Sequence, residues 1–247
     1  MVDSMKDSKK SRYKPYKYIA GSSNARILLT CEHANAYFPA PWLLDEKDEH
    51  LQNTHWLVDI GAAQITEDLA YVLEAPAILS QFSRIIVDAN RDKTEESLII
   101  RTADNKPIHF NRNLDEAEYA RRIEALYEPY HEAIDMKLGI YPDIALILSI
   151  HSFAPLWEGV RRFMEVGILF SEKIDLVHRI QQRLSYNGIK TALNQPYSSV
   201  EGMFSAKHHA KKHALDTLEL EIRQDLAVND GWRNRLINHL KTIFEVV

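Results

Sequence analysis

The sequence predicts an α/β protein, a three-layer sandwich in which a mixed, mostly parallel sheet is covered by helices on both faces. Short apolar runs typical of strands alternate with longer segments of helical periodicity. The most apolar run, "IALILSIHSF", is typical of a buried strand inside such a sheet. No internal repeat or low-complexity linker divides the chain, which predicts a single domain.

The elements follow in order after a polar, lysine-rich segment. Residues 1–24 are predicted to be a flexible basic leader, and residues 25–247 the domain. Strands are predicted at "RILLTC", "APAILSQF", "RIIVDANR", "IALILSIHSF", "FMEVGILF" and "DTLELEIRQ". Helices are predicted at "DIGAAQITEDLAYVLE", at "DEAEYARRIEALYEPYHEAIDMKLG" with a bend at Pro129, at "IDLVHRIQQRLSYNG" ending on Gly188, and from about Gly231 onward.

Composition excludes several function classes. A net charge of -5 and an isoelectric point near 6.1 give no support for nucleic-acid or anionic-membrane binding. The single cysteine, Cys31, fits a reducing compartment, and no apolar stretch could span a bilayer or form a signal peptide, so we expect a cytoplasmic protein. The chain has no G-x-G-x-x-G, P-loop or G-x-S-x-G motif, which weakens nucleotide-binding and serine-hydrolase readings.

Polar side chains cluster at the ends of four predicted strands. In open α/β sheets, ligands bind beyond the carboxyl ends of the strands, so these side chains are expected to converge on one pocket. They are His33, Asn90 with Arg91, His151, and Glu221 with Arg223.

Two of these residues are histidines, which together with one carboxylate would suit a single catalytic Zn²⁺ with an open coordination position. The nitrogens are assigned to His33 and His151. The oxygen could come from Glu32, Asp59 or Glu221, and Asp59 is favoured because it opens a helix shortly after the first apolar strand. Glu221 would then act as general base on a water activated by the metal.

Structural alternatives exist for each acidic residue and for the cysteine. Asp59 could be a helix N-cap, because the residues after it have helical spacing. Glu221 could be an outward residue of an alternating strand, with Glu219 and Arg223 on the same face. Cys31 is expected to be a small buried residue, although a thiol nucleophile remains open as the weakest option.

Three arginines, Arg84, Arg91 and Arg223, lie at or beside predicted strand ends. Guanidinium groups bind carboxylates through two parallel hydrogen bonds, so these residues would suit a small acidic substrate. Together with a metal and a base, they point to hydrolysis of an amide next to a carboxylate.

Several blocks resemble N-formylglutamate amidohydrolase family proteins. They are "LLTCEHANAYFP", "HWLVDIGAA", "SRIIVDANRD", "YEPYHEAI", "SIHSFAP" and "LELEIRQDL", in the family's order from about Arg26 to Ala227. The resemblance implies a fold of the zinc-dependent exopeptidase type. It implies hydrolysis of N-formyl-L-glutamate to formate and L-glutamate, a late step of histidine breakdown.

The resemblance also implies roles for single residues. His33 and His151 match the family's histidines and look like zinc ligands. Asp59 matches the acid of the "W-x-V-D" block, where related amidases place a ligand, and Glu221 matches the acid of the last strand, similar to the carboxypeptidase general base.

Asn90 with Arg91 is similar to the pair with which carboxypeptidases hold a substrate carboxylate, and Arg84 is expected to help. The chain departs from the family at "CEHAN", where other members have "PHSG", and in the glycine-poor segment 194–213. Two alternatives follow: an amidase for another N-acyl amino acid or small peptide, and a non-catalytic binder of acidic metabolites on the same scaffold.

Overall fold

The structure is a computed structural model of the 247-residue chain, and it describes residues 13–172, 174–198 and 202–245. Within these ranges, no helix combines the length and apolar character needed to cross a bilayer. These residues form one seven-stranded sheet, with helices packed on its two faces, and two separate two-stranded hairpins.

The central sheet has the strand order β1-β3-β2-β6-β11-β9-β10. Strands β3, β2, β6 and β11 run parallel, whereas β1 and β9 pair antiparallel with β3 and β11. The bounds are β1 Tyr16–Ile19, β2 Ile27–Cys31, β3 Ala77–Ser80, β6 Leu146–Phe153, β9 Val166–Phe170, β10 Thr191–Leu193 and β11 Asp216–Arg223. Thr102–Ala103 (β4) with Lys106–Pro107 (β5), and Leu156–Trp157 (β7) with Val160–Arg161 (β8), form the two hairpins. The prediction of a mixed, mostly parallel sheet is therefore confirmed.

In the described ranges, seven α-helices pack around the sheet. They are α1 Ala62–Leu73, α2 Glu116–Arg122, α3 Glu128–Ile140, α4 Ile174–Tyr186, α5 Phe204–His213, α6 Gln224–Ala227 and α7 Asp230–Phe244. Short 3₁₀ helices cover Glu46–Leu51, Glu96–Ile99 and His109–Asn111.

Two apolar clusters lie on opposite faces of the sheet because successive side chains of a strand point to opposite sides. Leu29 and Leu148 face the cluster that contains α1, α4 and α7. Their neighbours Leu28 and Ile147 face the cluster that contains α3 and α5. Burial on both faces explains why β2 and β6 read as continuous apolar runs in the sequence.

Three sequence-based expectations need correction. Strand β1 lies inside the segment 1–24, so the expected leader contributes an edge strand, while residues 1–12 lie outside the described residues. The "RIIVDANR" segment is a buried loop rather than a strand. The long helix does not bend only at Pro129, because a π-helical turn, Ile123–Tyr127, comes between α2 and α3.

Candidate metal centre

Three polar side chains meet at the carboxyl edge of the parallel strands. His33 follows the end of β2 by two residues, and His151 lies inside β6. Asp59 lies in the loop before α1, and its backbone N–H donates to the carbonyl of His33 at 3.0 Å. That bond joins the loop to the end of the strand and brings the carboxylate beside both imidazoles.

The three predicted metal ligands form one compact, buried group. Each offers one ligand atom within 4.8 Å of the others. His33 Nδ1 lies 3.3 Å and His151 Nδ1 lies 2.8 Å from the same oxygen, Asp59 Oδ2. The two imidazole rings are 4.8 Å apart between centroids and nearly perpendicular. The structure therefore brings His33, Asp59 and His151 together as the sequence predicted.

Asp59 does not cap the helix that follows it. Helix α1 begins at Ala62 after Gly61, and no side chain caps its first turn. The Asp59 carboxylate instead accepts a hydrogen bond from the backbone N–H of Ser152 at 3.3 Å. Burial raises the pKa of this carboxyl, but the nearby His33 and His151 outweigh that effect and hold the pKa well below its usual range.

The second nitrogen of each imidazole contacts a buried carboxylate. His33 Nε2 lies 2.7 Å from Asp88 Oδ1, and His151 Nε2 lies 3.1 Å from Glu32 Oε2. Histidine ligands of metals commonly donate their second ring N–H to a carboxylate, which fixes the tautomer and the ring orientation. Both rings are therefore arranged to direct Nδ1 toward Asp59.

Glu32, the alternative oxygen ligand, lies behind His151 rather than among the three ligands. Ser149 donates its hydroxyl to Glu32 Oε2 at 2.7 Å, and Tyr130 donates to Oε1 at 3.1 Å. Burial favours the neutral form of Glu32, but the hydrogen bonds from His151 and Ser149 hold its pKa well below its usual range. These bonds keep it an ionised partner of the His151 ring.

Glu221 lies on β11 directly opposite His151 on β6. Its side chain is buried and lines the cavity described below, and within the described ranges its Oε2 accepts no hydrogen bond. Burial raises the pKa of Glu221 well above its usual value. A carboxylate that is desolvated, unpartnered and aimed at an open space is suited to proton transfer.

Glu219, two residues earlier on the same face, is a second buried carboxylate. Its Oε2 lies 3.6 Å from His151 Nε2, and neither of its oxygens makes a hydrogen bond to the part of the chain that the structure describes. Burial raises the pKa of Glu219 to about 8. The alternative in which Glu221 is an outward residue of an alternating strand is therefore wrong, because Glu219 and Glu221 are both buried.

A cavity of about 220 Å³ opens directly above the centre. His33, Asp59, His151 and Glu221 are among the residues that line it. Its remaining walls combine charged, polar and aromatic groups. They are His55, Trp56, Arg84, Asp88, Asn90, Arg91, Ser97, Ile100, Ser152, Trp157, Tyr197 and Gly202.

Arg84, Asn90 and Arg91, which were predicted to bind substrate, all line this cavity. Arg84 donates to Asp88 Oδ2 at 2.7 Å and to Asp59 Oδ1 at 3.4 Å, so these carboxylates offset most of its charge. Arg91 donates to the carbonyl of Asn90 at 2.9 Å.

The amide of Asn90 is bonded at both ends. Its Nδ2 donates to the carbonyl of Gly202 at 2.5 Å, and its Oδ1 accepts from the backbone N–H of Ser205 at 2.9 Å. Asn90 therefore connects the start of α5 to the cavity wall, and its contact with a substrate carboxylate stays a prediction.

Arg223 is not among the residues that line the cavity. Its guanidinium donates to Asp225 at 2.7 and 3.2 Å and to the carbonyl of Arg162 at 3.1 Å. The predicted contact of Arg223 with a substrate therefore has no support in the cavity.

Cys31 packs in the apolar cluster under α1 and is fully buried. Burial raises the pKa of its thiol far above the usual value. A thiol of this kind is a poor nucleophile.

Sequence reasoning missed Asp88 and the aromatic wall. Asp88 lies in the "VDANR" block that supplied Asn90 and Arg91, so its block was a usable signal. Trp56 likewise precedes Asp59 in the "HWLVD" block. Nothing local in the sequence marks Trp157 or Tyr197, because Trp157 reaches the cavity from the β7–β8 hairpin and Tyr197 from the loop after β10.

The donor set fits a divalent cation. Two imidazole nitrogens and one carboxylate oxygen match the ligands of three-residue catalytic zinc sites, and both histidines have partners on their second nitrogens. Two of the three ligands are nitrogens, which disfavours the hard cations Mg²⁺ and Ca²⁺.

Comparisons with known proteins identify the family and the fold. The sequence profile of the N-formylglutamate amidohydrolase family matches residues 25–228. A gene product of Agrobacterium tumefaciens has a similar structure, with 26% identity, a TM-score of 0.80, and coverage of 95% of this chain and 94% of that one. An N-formylglutamate amidohydrolase from Ralstonia eutropha JMP134 shares the fold, with 18% identity, a TM-score of 0.70, and coverage of 94% and 96%. No curated protein matches the chain significantly.

Proposed function

Because the chain belongs to the N-formylglutamate amidohydrolase family, and is on that ground an amide hydrolase, we propose that it hydrolyses N-formyl-L-glutamate to formate and L-glutamate with one bound Zn²⁺. The observation that carries this proposal is the buried group of His33, Asp59 and His151 beside the unpartnered carboxylate of Glu221.

His33, Asp59 and His151 would hold the ion. When bound, a divalent cation supplies a Lewis acid that polarises an amide carbonyl and makes water more acidic. The surrounding carboxylates prepare the centre for a positive charge, since Asp59 and Glu32 both have lowered pKa values and are ionised at neutral pH.

Glu221 is the proposed proton carrier. As general base its carboxylate accepts a proton from the attacking water, and as general acid it delivers that proton to the nitrogen of the leaving amino acid. Burial raises the pKa of Glu221, which strengthens it as a base relative to an exposed glutamate. Its position beside His151 directs this exchange into the cavity.

The size and charge of the cavity support a small acidic substrate. Its volume of about 220 Å³ lies below the roughly 300–1,000 Å³ of drug-sized sites. Arg91 supplies positive charge to its wall. The expectations of a small-molecule partner, of no nucleic-acid or membrane partner and of a cytoplasmic location stay predictions from the sequence.

The proposal is tested on the purified full-length protein. Metal content is measured before and after treatment with a chelator, and formate release from N-formyl-L-glutamate is measured before treatment, after it, and after adding back Zn²⁺. N-acetyl-L-glutamate and a panel of N-formyl dipeptides serve as comparison substrates.

We expect about one Zn²⁺ per chain, loss of formate release after chelation, and recovery with Zn²⁺. Faster hydrolysis of N-acetyl-L-glutamate or of a dipeptide would leave the protein an amide hydrolase but would change the proposed substrate. A protein that binds no metal at these residues and hydrolyses none of these amides would overturn the proposal in favour of a non-catalytic binder.

A further inference from the structure

Tyr197 lies in the glycine-poor segment 194–213, on the loop after β10. Its side chain lines the cavity, as do Glu221 and the three proposed metal ligands. The guanidinium carbon of Arg162 lies over the Tyr197 ring, 5.6 Å from the ring centre. A cation on the face of an aromatic ring attracts it and limits the positions that the ring takes. The loop therefore adds a phenol to the wall of the cavity that contains the proposed reaction centre.

The loop that carries Tyr197 is held close to the sheet at one glycine. Gly167 of β9 pairs with Glu221 of β11. A Cβ atom at Gly167 would collide with the backbone carbonyl oxygen of Gln195 and would lie 3.2 Å from Cβ of Glu221. Only glycine lets the loop backbone come this close to the strand. The strand beside the proposed proton carrier therefore also fixes the loop that bears the phenol.

The phenol remains a hydrogen-bond donor at neutral pH. Burial raises the pKa of Tyr197, and the carboxylates of Glu221 and Asp59 add to that rise, whereas Arg162 opposes it. Both carboxylates therefore lie within electrostatic reach of the phenol. A neutral O–H group at this place can donate to an oxygen that becomes negative during a reaction.

We propose that Tyr197 is a catalytic residue whose phenol donates a hydrogen bond to the carbonyl oxygen of the scissile amide as that oxygen becomes negative. The proposal rests on the proposed function, because addition of water to an amide carbonyl carbon moves an electron pair onto the carbonyl oxygen. The phenol keeps its proton throughout, and no bond to Tyr197 forms. A donor that is positioned in advance stabilises the transition state more than the bound substrate.

The test compares two variants of the full-length, Zn²⁺-loaded protein with the wild type. Tyr197→Phe removes the hydroxyl and keeps the ring that Arg162 contacts. Tyr37→Phe is the matched control, because Tyr37 is 54% exposed and does not line the cavity. Thermal unfolding and elemental analysis establish that each variant is folded and contains Zn²⁺.

Kinetic constants are measured with N-formyl-L-glutamate, N-acetyl-L-glutamate and the panel of N-formyl dipeptides. For Tyr197→Phe we expect kcat to fall about 10- to 100-fold with KM changed less than threefold, because the lost contact exists only in the transition state. Tyr37→Phe should match the wild type. The pH profile of kcat should keep its shape in Tyr197→Phe, since the phenol transfers no proton. Loss of one limb of the profile would make Tyr197 a proton donor and overturn the proposed role.

Isothermal titration calorimetry measures the same contact without turnover. The ligands are L-glutamate and a phosphinate analogue of N-formyl-L-glutamate, in which a tetrahedral, anionic group replaces the formyl carbonyl. Tyr197→Phe should bind the analogue about 10- to 100-fold more weakly and L-glutamate within threefold of the wild type. An equal loss of affinity for both ligands would overturn the proposal, because Tyr197 would then bind the ground state.

The same measurements separate this proposal from the proposed function. A wild type that hydrolyses another amide of the panel but not N-formyl-L-glutamate, with kcat lowered in Tyr197→Phe, would support the role of Tyr197 and reject the proposed substrate. A wild type that releases formate, with kcat unchanged in a folded, Zn²⁺-loaded Tyr197→Phe, would reject Tyr197 and keep the proposed reaction.

Discussion

The molecule contains two pairs of buried histidines, and the pKa of His151 in one pair is shifted in the opposite direction to the pKa of His131 in the other. In the metal centre, His33 and His151 lie 4.8 Å apart between ring centroids. Between α3 and α5, His131 and His209 stack 5.1 Å apart, with Nδ1 of His131 2.9 Å from Nε2 of His209. We call this second group the α3–α5 histidine pair.

The charged neighbours explain the difference. Burial lowers the pKa of His151, but Glu219, Asp59 and Glu32 outweigh it and raise that pKa well above its usual value. Burial and His209 lower the pKa of His131 to about 3, so this ring is neutral at physiological pH. Burial disfavours the protonated form of an imidazole, and the carboxylates around the ring decide whether it is nevertheless protonated.

The comparison also separates a site from a structural contact. The metal centre lines a cavity, and the unpartnered carboxylate of Glu221 lines the same cavity. The α3–α5 pair does not line that cavity, and its nearest carboxylate, Asp135, holds His209 at 2.8 Å and Lys212 at 2.7 Å. We therefore expect changes at the centre to alter chemistry and changes at the pair to alter stability.

The largest effect is expected from Glu221→Gln. It removes the proton carrier but none of the three ligands, so kcat should fall about 10²- to 10⁴-fold while Zn²⁺ content stays near one per chain. Formate release and elemental analysis on the same sample measure both quantities. His131→Asn is the control, with turnover per folded molecule unchanged. Wild-type turnover in Glu221→Gln would remove this residue from the mechanism.

Asp88→Asn and Glu32→Gln test the carboxylates behind the ligands. Each replaces the partner of one Nε2 atom, so Zn²⁺ affinity should fall about 10- to 100-fold, measured by competition with a chromophoric chelator. Asp135→Asn makes the same kind of change at the α3–α5 pair and should leave Zn²⁺ affinity unchanged. Wild-type Zn²⁺ affinity in Asp88→Asn and Glu32→Gln would show that these contacts do not orient the ligands.

Because of the α3–α5 histidine pair, the free energy of unfolding should decrease as pH falls. The folded-state pKa of His131, about 3, lies below the usual 6.5, so the unfolded chain binds more protons between these pH values. The free energy of unfolding should therefore fall as pH falls below about 6.5, by about 1.4 kcal/mol per pH unit from this group.

Urea unfolding at pH 7 and pH 5 on metal-free protein measures this dependence. From this group alone we expect a loss of about 2 kcal/mol in the wild type, which His131→Gln should reduce. The same loss in both proteins would mean that His131 does not carry the dependence.

The smallest effect is expected from Cys31→Ser. The buried thiol does not line the cavity, so kcat and KM should stay within about twofold of the wild type. A hydroxyl in this apolar cluster should lower the free energy of unfolding by about 1–3 kcal/mol. A loss of turnover greater than tenfold in a folded, Zn²⁺-loaded variant would point to a thiol enzyme instead.

The sequence by itself determined the sheet class and the position of both histidines. Apolar runs such as β2 and β6 are detectable because burial on both faces leaves few polar positions in them, and polar residues at or near their carboxyl ends lie at one edge of a parallel sheet. His33, His151 and Glu221 were predictable for this reason.

Only the tertiary structure decided the partners of those residues. Asp88 lies in a buried loop that the sequence predicted to be a strand. Glu32 contacts His151 because β6 lies beside β2. Arg223 donates to the carbonyls of Arg162 and Met164 and does not line the cavity. Such contacts join residues far apart in the chain, and local periodicity records which face of an element is buried but not which residue lies against it.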